Sequence, residues 1–242
     1  MNIIKVKDYD EMSEKACDWL IEKMGKLEAP VLGLATGSTP EGLYDRLIEA
    51  YKQGDVTFKD TTTFNLDEYV GLSENDPQSY HFYMHERFFK HIDIKPENTH
   101  LPKGDAHNLE EETKRYEQLI KDAGGVDVQL LGIGTNGHIA FNEPGISFDS
   151  RTQVVDLTES TIKANSRFFN SMDDVPTQAV TMGIESILES DEIVMLVSGE
   201  SKAEALAQVI NGEVTEDCPA TVLQQHENVT IIADEAALKK VK

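Results

Sequence analysis

The sequence predicts an α/β fold: an open, mostly parallel, Rossmann-like sheet with helices on both faces, built as a single domain over residues 1–242. Three observations lead there. Short apolar runs alternate with longer amphipathic stretches, the pattern of strands joined by crossover helices. Runs such as PVLGLA are apolar throughout, which suits a parallel sheet covered on both faces. No Pro- or Ser-rich linker, internal repeat or low-complexity tract divides the chain.

Residues 3–6 read as a short strand and 9–26 as an amphipathic helix with Cys17 and Trp19 on or near its buried face. Residues 30–35 form the next strand. Pro40 then stands where a first helical turn accepts proline, and 41–53 continue as a helix. Residues 61–67 are rich in β-branched side chains and read as a strand. Helical stretches follow at 79–90 and 109–123, a strand at 126–133, and helical stretches at 160–169 and 183–188. A strand at 193–197, a helix at 202–210 and a strand at 229–233 complete the core, before a short acidic-to-basic helix. Residues 74–107 are polar and carry several breakers, as either a mobile lid or an ordinary surface would.

Composition narrows the function classes. Charged residues make up 27% and hydrophobic ones 39%, the balance of a soluble globular protein. No apolar run is long enough to span a bilayer, and MNIIKVKDYDEM lacks the apolar core of a signal peptide. Cys17 and Cys218 lie far apart, which fits a reduced compartment without a disulfide framework, so the cytoplasm is expected. A net charge of −22 argues against general nucleic-acid binding. It leaves room for a small anionic substrate, because a few cations and backbone N–H groups can hold one phosphate.

Three segments carry candidate chemistry. In GTNGHIAFNEPG, which follows the apolar VDVQLLGIG, Asn136, His138 and Glu143 fall together at a strand end. Ligands bind at such ends in open α/β sheets. Gly132, Gly134 and Gly137 allow sharp turns and close approach. His138 suits proton transfer near neutral pH, and Glu143 can orient it or share its proton. In LATGSTP, Thr36, Gly37, Ser38 and Thr39 precede a helix N-terminus, either as a phosphate cradle or as a simple cap. The lysine of a nucleotide-binding P-loop is missing. In FNLDEYVGL, Asp67 and Glu68 are neighbours at a strand end and point to opposite faces. One of them can take a proton from a sugar carbon beside a carbonyl; alternatively both are solvated acids of a turn. His81 and His85 stand four apart but do not form H-E-x-x-H, and no metal is expected.

Taken in this order, with SRT at 150–152, ANSRFF at 164–169 and VSGESKAEAL at 197–206, the segments resemble the glucosamine-6-phosphate deaminases of the glucosamine/galactosamine-6-phosphate isomerase family. The resemblance covers nearly the whole chain. It implies a reaction without metal or organic cofactor, in which glucosamine 6-phosphate is opened, isomerised and deaminated to fructose 6-phosphate and ammonia. His138 matches the family's ring-opening histidine, Glu143 the acid that supports it, and Asp67 the base for the C2 proton. Gly37, Ser38 and Thr39, with Arg167 and Lys202, match the phosphate site. Asn136 departs from the many members that carry Asp there, and is expected to orient His138 without supplying charge.

Two alternatives remain. One is a 6-phosphogluconolactonase-like hydrolase on a related fold, which would not need Asp67 as a carbon-proton base. The other is a non-catalytic sugar-phosphate sensor of the kind that regulators join to a DNA-binding module; a chain that opens on its first strand and carries −22 shows no place for one. Gln153 and Val155 stand where activator-regulated members carry Arg and Lys after Ser-Arg-Thr. With the chain ending at Lys242, hyperbolic kinetics and a monomer rather than a homo-oligomer are expected. The expected partner is a small sugar phosphate, with neither nucleic acid nor membrane.

Overall fold

The computed structural model describes residues 1–166 and 169–242. The chain runs β1 (Asn2–Val6), α1 (Tyr9–Met24), β2 (Val31–Leu34), α2 (Glu41–Gln53), β3 (Thr62–Asn65) and β4 (Asp67–Tyr69). It continues through α3 (Tyr80–Arg87), β5 (Thr99–His100), α4 (Leu109–Asp122), β6 (Val128–Leu131), β7 (Gln153–Asp156) and α5 (Glu159–Asn165). The last part holds β8 (Gln178–Thr181), α6 (Ile184–Leu188), β9 (Glu192–Val197), α7 (Ala203–Asn211) and β10 (Val229–Asp234).

Seven strands form the main sheet in the order β1-β10-β9-β6-β2-β3-β5, every pair parallel. The inner strands β2, β6 and β10 are buried at every position. Cover on both faces of the sheet explains why these strands are mostly apolar, with Gln129 in β6 and Thr230 and Asp234 in β10 as buried polar exceptions. From β2 the chain steps outward to β3 and β5, then returns to β6 on the other side of β2. The strand order therefore reverses between β2 and β6, and a crevice opens beyond the carboxyl ends of strands at such a point.

The expected strand at 61–67 is in fact divided between two sheets. Leu66 N–H donates to Leu34 O of the main sheet (3.1 Å), while Leu66 O accepts from Met182 N–H (2.7 Å). Beyond this residue, β4 joins a small antiparallel sheet, β4-β8-β7, that the sequence does not announce. Its strand β7 is half-buried without alternation, so no period-2 signal marks it. At the C-terminus the expected short helix is a run of turns; Asp234 ends β10 by accepting from Ala237 N–H (2.8 Å). The expected helix at 79–90 is α3 followed by a 3-10 turn, Phe89–His91.

Helix α1 starts where Asp8 accepts from Glu11 N–H (3.0 Å), and α2 stops at Gly54 with φ 84°. Cys17 is buried on α1, and burial pushes its thiol up to about 11, so it packs rather than reacts. Trp19 lies partly buried against the same core. Segment 74–107 holds α3, whose Tyr80, Phe82 and Tyr83 line the crevice. No helix among the described residues is long and apolar enough to cross a membrane.

Candidate active site

The crevice at the reversal point is a cavity of about 790 Å³, walled by the loops after β2 and β6, by β4, α3 and α5, and by Lys202. All three segments singled out in the sequence reach it.

One end is the loop 35–40. Gly37 has φ 92°, a conformation that side-chain-bearing residues rarely adopt, and a Cβ there would meet nothing; backbone geometry alone asks for glycine. The loop's carbonyls are taken by tyrosines: Tyr83 Oη donates to Gly37 O (2.7 Å) and Tyr9 Oη to Ser38 O (2.9 Å). Among the described residues, no acceptor takes the amide protons of Gly37, Ser38 or Thr39. Helix α2 has no side-chain cap either, because Pro40 occupies the cap position. Ser38 and Thr39 are thus not the helix cap; their amides and the helix dipole are suited to an anion.

Lys202 lines the same cavity, and its Nζ donates to Ile133 O (2.7 Å). Its loop is fixed by buried Asp234, which accepts from Ser198 Oγ (2.5 Å) and Gly199 N–H (3.0 Å). Arg167, the other expected phosphate cation, lies outside the described residues.

The loop after β6 carries His138. Gly137 has φ 83° and its Cβ would sit 2.3 Å from Cys218 Sγ, so both backbone and packing require glycine there. A Cβ on Gly134 would meet the His138 ring at 2.1 Å, whereas one on Gly132 would meet nothing. Ala140 is held at φ 52°, a strained conformation that Asn142 supports by donating to Ile139 O (3.0 Å) and Met182 O (2.8 Å).

The polar chain on this loop has a fixed direction. Glu143 Oε2 can only accept, so Asn136 presents Nδ2 to it (2.8 Å). Asn136 Oδ1 then faces His138 Nδ1 (2.7 Å), which must carry the proton. The Nε2 lone pair is left for chemistry. Glu143 Oε2 also lies 3.4 Å from His138 Nδ1. Its other oxygen accepts from Thr161 Oγ1 (2.5 Å) at the start of α5. Burial alone would raise the Glu143 carboxyl. Hydrogen bonds from His138, Thr161 and Asn136, together with the histidine's charge, outweigh it and bring the group down to about 2.

Asp67 and Glu68 divide as neighbours in a strand must. Asp67 lines the cavity at 7% exposure, and burial, reinforced by the Glu68 charge, pushes its carboxyl up to about 8. Glu68 is fully buried and accepts from the backbone N–H groups of Tyr80 and His81 (2.9 and 3.0 Å). His81 is engaged here, with Nδ1 2.8 Å from Glu68 Oε2, while His85 pairs with Glu86 (3.2 Å). Among the described residues, no group of three His, Cys, Asp or Glu side chains is arranged to hold a metal ion.

Tyr80, Tyr83, Thr161 and Asp234 shape the site without standing out in the sequence. The i,i+3 spacing of Tyr80 and Tyr83 on one expected helix is the nearest to a signal. Electrostatically the arrangement sets an anion-binding end against a proton-transfer end, with a protonatable carboxyl on one wall and an oriented imidazole on another. That suits acid–base work on a small phosphorylated substrate.

Comparison with known proteins agrees. The model of the glucosamine-6-phosphate isomerase/6-phosphogluconolactonase family matches residues 7–232. A glucosamine-6-phosphate deaminase of Oceanobacillus iheyensis is 56% identical over 241 residues, covering 100% of this chain and 96% of the relative. Glucosamine-6-phosphate deaminase 1 of Bacillus subtilis is 51% identical over 237 residues, 98% of each chain. Among solved structures, a monomeric glucosamine-6-phosphate deaminase superposes with a TM-score of 0.97 at 50% identity, covering 99% of this chain and 100% of the other. The 6-phosphogluconolactonase of Thermotoga maritima gives 0.77 at 21% identity, over 97% and 99% of the two chains, and shares the fold.

Proposed function

The chain belongs to the glucosamine-6-phosphate isomerase/6-phosphogluconolactonase family, and we propose that it is a glucosamine-6-phosphate deaminase, converting glucosamine 6-phosphate and water to fructose 6-phosphate and ammonia. The observation that carries this reading within the family is Asp67: a buried, proton-avid carboxyl facing the cavity. Opening a lactone needs no base for a carbon-bound proton; aldose–ketose isomerisation does.

In this reading the phosphate rests on the amides of Gly37, Ser38 and Thr39, with Lys202 and Arg167 as its cations. His138 Nε2 takes the anomeric hydroxyl's proton and returns it to the ring oxygen, opening the sugar. Asn136 holds the imidazole in the tautomer this requires, and the Glu143 carboxylate stabilises the cation formed in passing. Asp67, its ionised form favoured by the nearby substrate ammonium, takes the C2 proton. An enolamine results, and Asp67 returns that proton to C1. Water then adds to the C2 ketimine and ammonia leaves. Each acid–base step of this kind contributes on the order of 10²–10⁴ in rate.

We also propose that the enzyme works as a monomer in the cytoplasm, in the breakdown of amino sugars; the monomeric deaminase of closely similar structure supports the first point. The deciding assay is release of ammonia and fructose 6-phosphate, in equal amounts, from glucosamine 6-phosphate without added metal. Hydrolysis of 6-phosphogluconolactone with no ammonia from the amino sugar would overturn the proposal.

A further inference from the structure

Neither the proton-transfer steps nor the phosphate contacts use Glu68, although it is buried next to Asp67 and its side-chain exposure is 0%. An ionisable group in that position is costly unless every lone pair is engaged. Here they are. Oε1 accepts from the backbone N–H groups of Tyr69 and Tyr80, both at 2.9 Å. Oε2 accepts from His81 N–H at 3.0 Å and lies 2.8 Å from His81 Nδ1. Two of these donors, Tyr80 N–H and His81 N–H, are first-turn amides of α3 that have no partner within the helix. Ser79 supplies a separate cap by accepting from Phe82 N–H. Glu68 therefore does more than end a helix; it fastens α3 to strand β4.

That fastening reaches the other end of the cavity. Three residues after Tyr80, on the same side of the helix, Tyr83 donates its hydroxyl to Gly37 O (2.7 Å). Tyr80 itself lies against Tyr69 with ring centroids 4.7 Å apart. Gly37 is the left-handed residue of the loop whose amides would meet the phosphate. The chain of contacts runs from β4 through the Glu68 carboxylate to α3, and from Tyr83 to the loop.

We propose that Glu68 is a positioning residue that sets the distance between the proton-transfer carboxylate and the phosphate loop, acting through α3 and Tyr83 and without touching substrate. This rests on the deaminase reading, in which Asp67 and the 35–40 loop serve the two ends of one sugar phosphate. The residue type follows from the geometry. A glutamine at 68 offers one accepting oxygen where the carboxylate offers two, and turns N–H groups toward backbone N–H donors.

The test measures binding of inorganic phosphate and of fructose 6-phosphate, together with deamination kinetics, for the parent, E68Q, Y83F and the double variant. For E68Q we expect phosphate binding on the order of tenfold weaker, the usual consequence of losing a buried hydrogen-bonded link. KM should rise by a similar factor. Y83F should weaken phosphate binding to a comparable extent while leaving kcat within about threefold, because one hydroxyl is lost and the ring packing stays. If the route is the one described, the double variant is no weaker than E68Q alone. Additive losses, or unchanged phosphate binding in Y83F, would overturn the proposal. Should E68Q not give folded protein, E68D, which keeps both accepting oxygens on a shorter arm, replaces it in the same cycle, and unchanged phosphate binding in the Glu68 variant would likewise overturn the proposal. Failure of the parent to bind phosphate or to release ammonia would instead strike the deaminase reading, so the two failures are distinct.

Discussion

Replacing Asp67 by Asn should abolish turnover and, at alkaline pH, make the protein more stable. The carboxyl is held at about 8, up from 3.8, first by burial and second by the Glu68 charge. Between those two pH values the folded protein keeps a proton that the unfolded chain has released. Stability therefore falls as pH rises, by at most about 1.4 kcal/mol per pH unit from this group. The full span corresponds to a ceiling of ~6 kcal/mol. The carboxyl opens on the cavity, which lowers that, and an advantage of about 2–3 kcal/mol for the variant at pH 8.5 is expected. For a chain of this length it is worth ~5–10 °C in melting temperature. The assay is thermal and urea unfolding of parent and D67N from pH 5 to 9, because their difference isolates the one group. A difference that stays flat across that range would refute the reasoning. In parallel, kcat/KM of the parent should climb with pH toward about 8, as the free enzyme's base ionises. D67N should still bind fructose 6-phosphate, and deamination by D67N near the parental rate would remove Asp67 from its role.

Three further outcomes are expected. His138→Gln should lower turnover of the cyclic sugar by ~10²–10⁴, while solvent exchange of the C2 proton in the open-chain fraction survives better; equal loss of both would count against a ring-opening role. Lys202→Ala should weaken substrate binding ~10- to 100-fold, seen mainly in KM, and unchanged affinity would exclude it from the phosphate site. Saturation should be hyperbolic and unresponsive to N-acetylglucosamine 6-phosphate as an activator, because Arg151 is already held by Glu117, Glu185 and Glu189 (3.4, 3.2 and 2.5 Å), while β7 offers Gln153 and Val155 in place of further cations; a sigmoidal curve that the compound straightens would refute this.

What the sequence reveals, and what it hides, follows physical lines. The main sheet is legible because burial on both faces writes a mostly apolar run into β2, β6 and β10. The reactive loops are legible because glycine, histidine and carboxylates crowd into short segments at strand ends. The small sheet is hidden: β4 and β8 are short and buried at nearly every position, and nothing local says that Leu66 hands the chain from one sheet to another. Equally hidden is the division of labour between Asp67 and Glu68. Alternation separates the two carboxylates, but which one faces the cavity depends on where α3 docks, about a dozen residues away in sequence. Contacts of that range leave no periodic trace. The loop at 35–40 shows the same limit, for its glycine and hydroxyls suit a cap and a cradle equally until Pro40 is seen to occupy the cap position.

Asn136 is the point at which this chain's own chemistry is plainest. With an aspartate there, an oxygen would stand where Asn136 Nδ2 now stands, 2.8 Å from Glu143 Oε2. Two carboxylates in contact cannot both stay ionised at little cost, and one of them would hold a proton near neutrality. The amide removes that conflict. It gives a hydrogen to Glu143, which stays ionised, and turns its oxygen to His138 Nδ1. The imidazole keeps the same tautomer, and the negative charge is fixed on Glu143, 3.4 Å from the ring nitrogen. Ring opening asks the histidine to take a proton and give it back, so it needs a fixed orientation and a nearby counter-charge. Asn136 supplies the first and Glu143 the second.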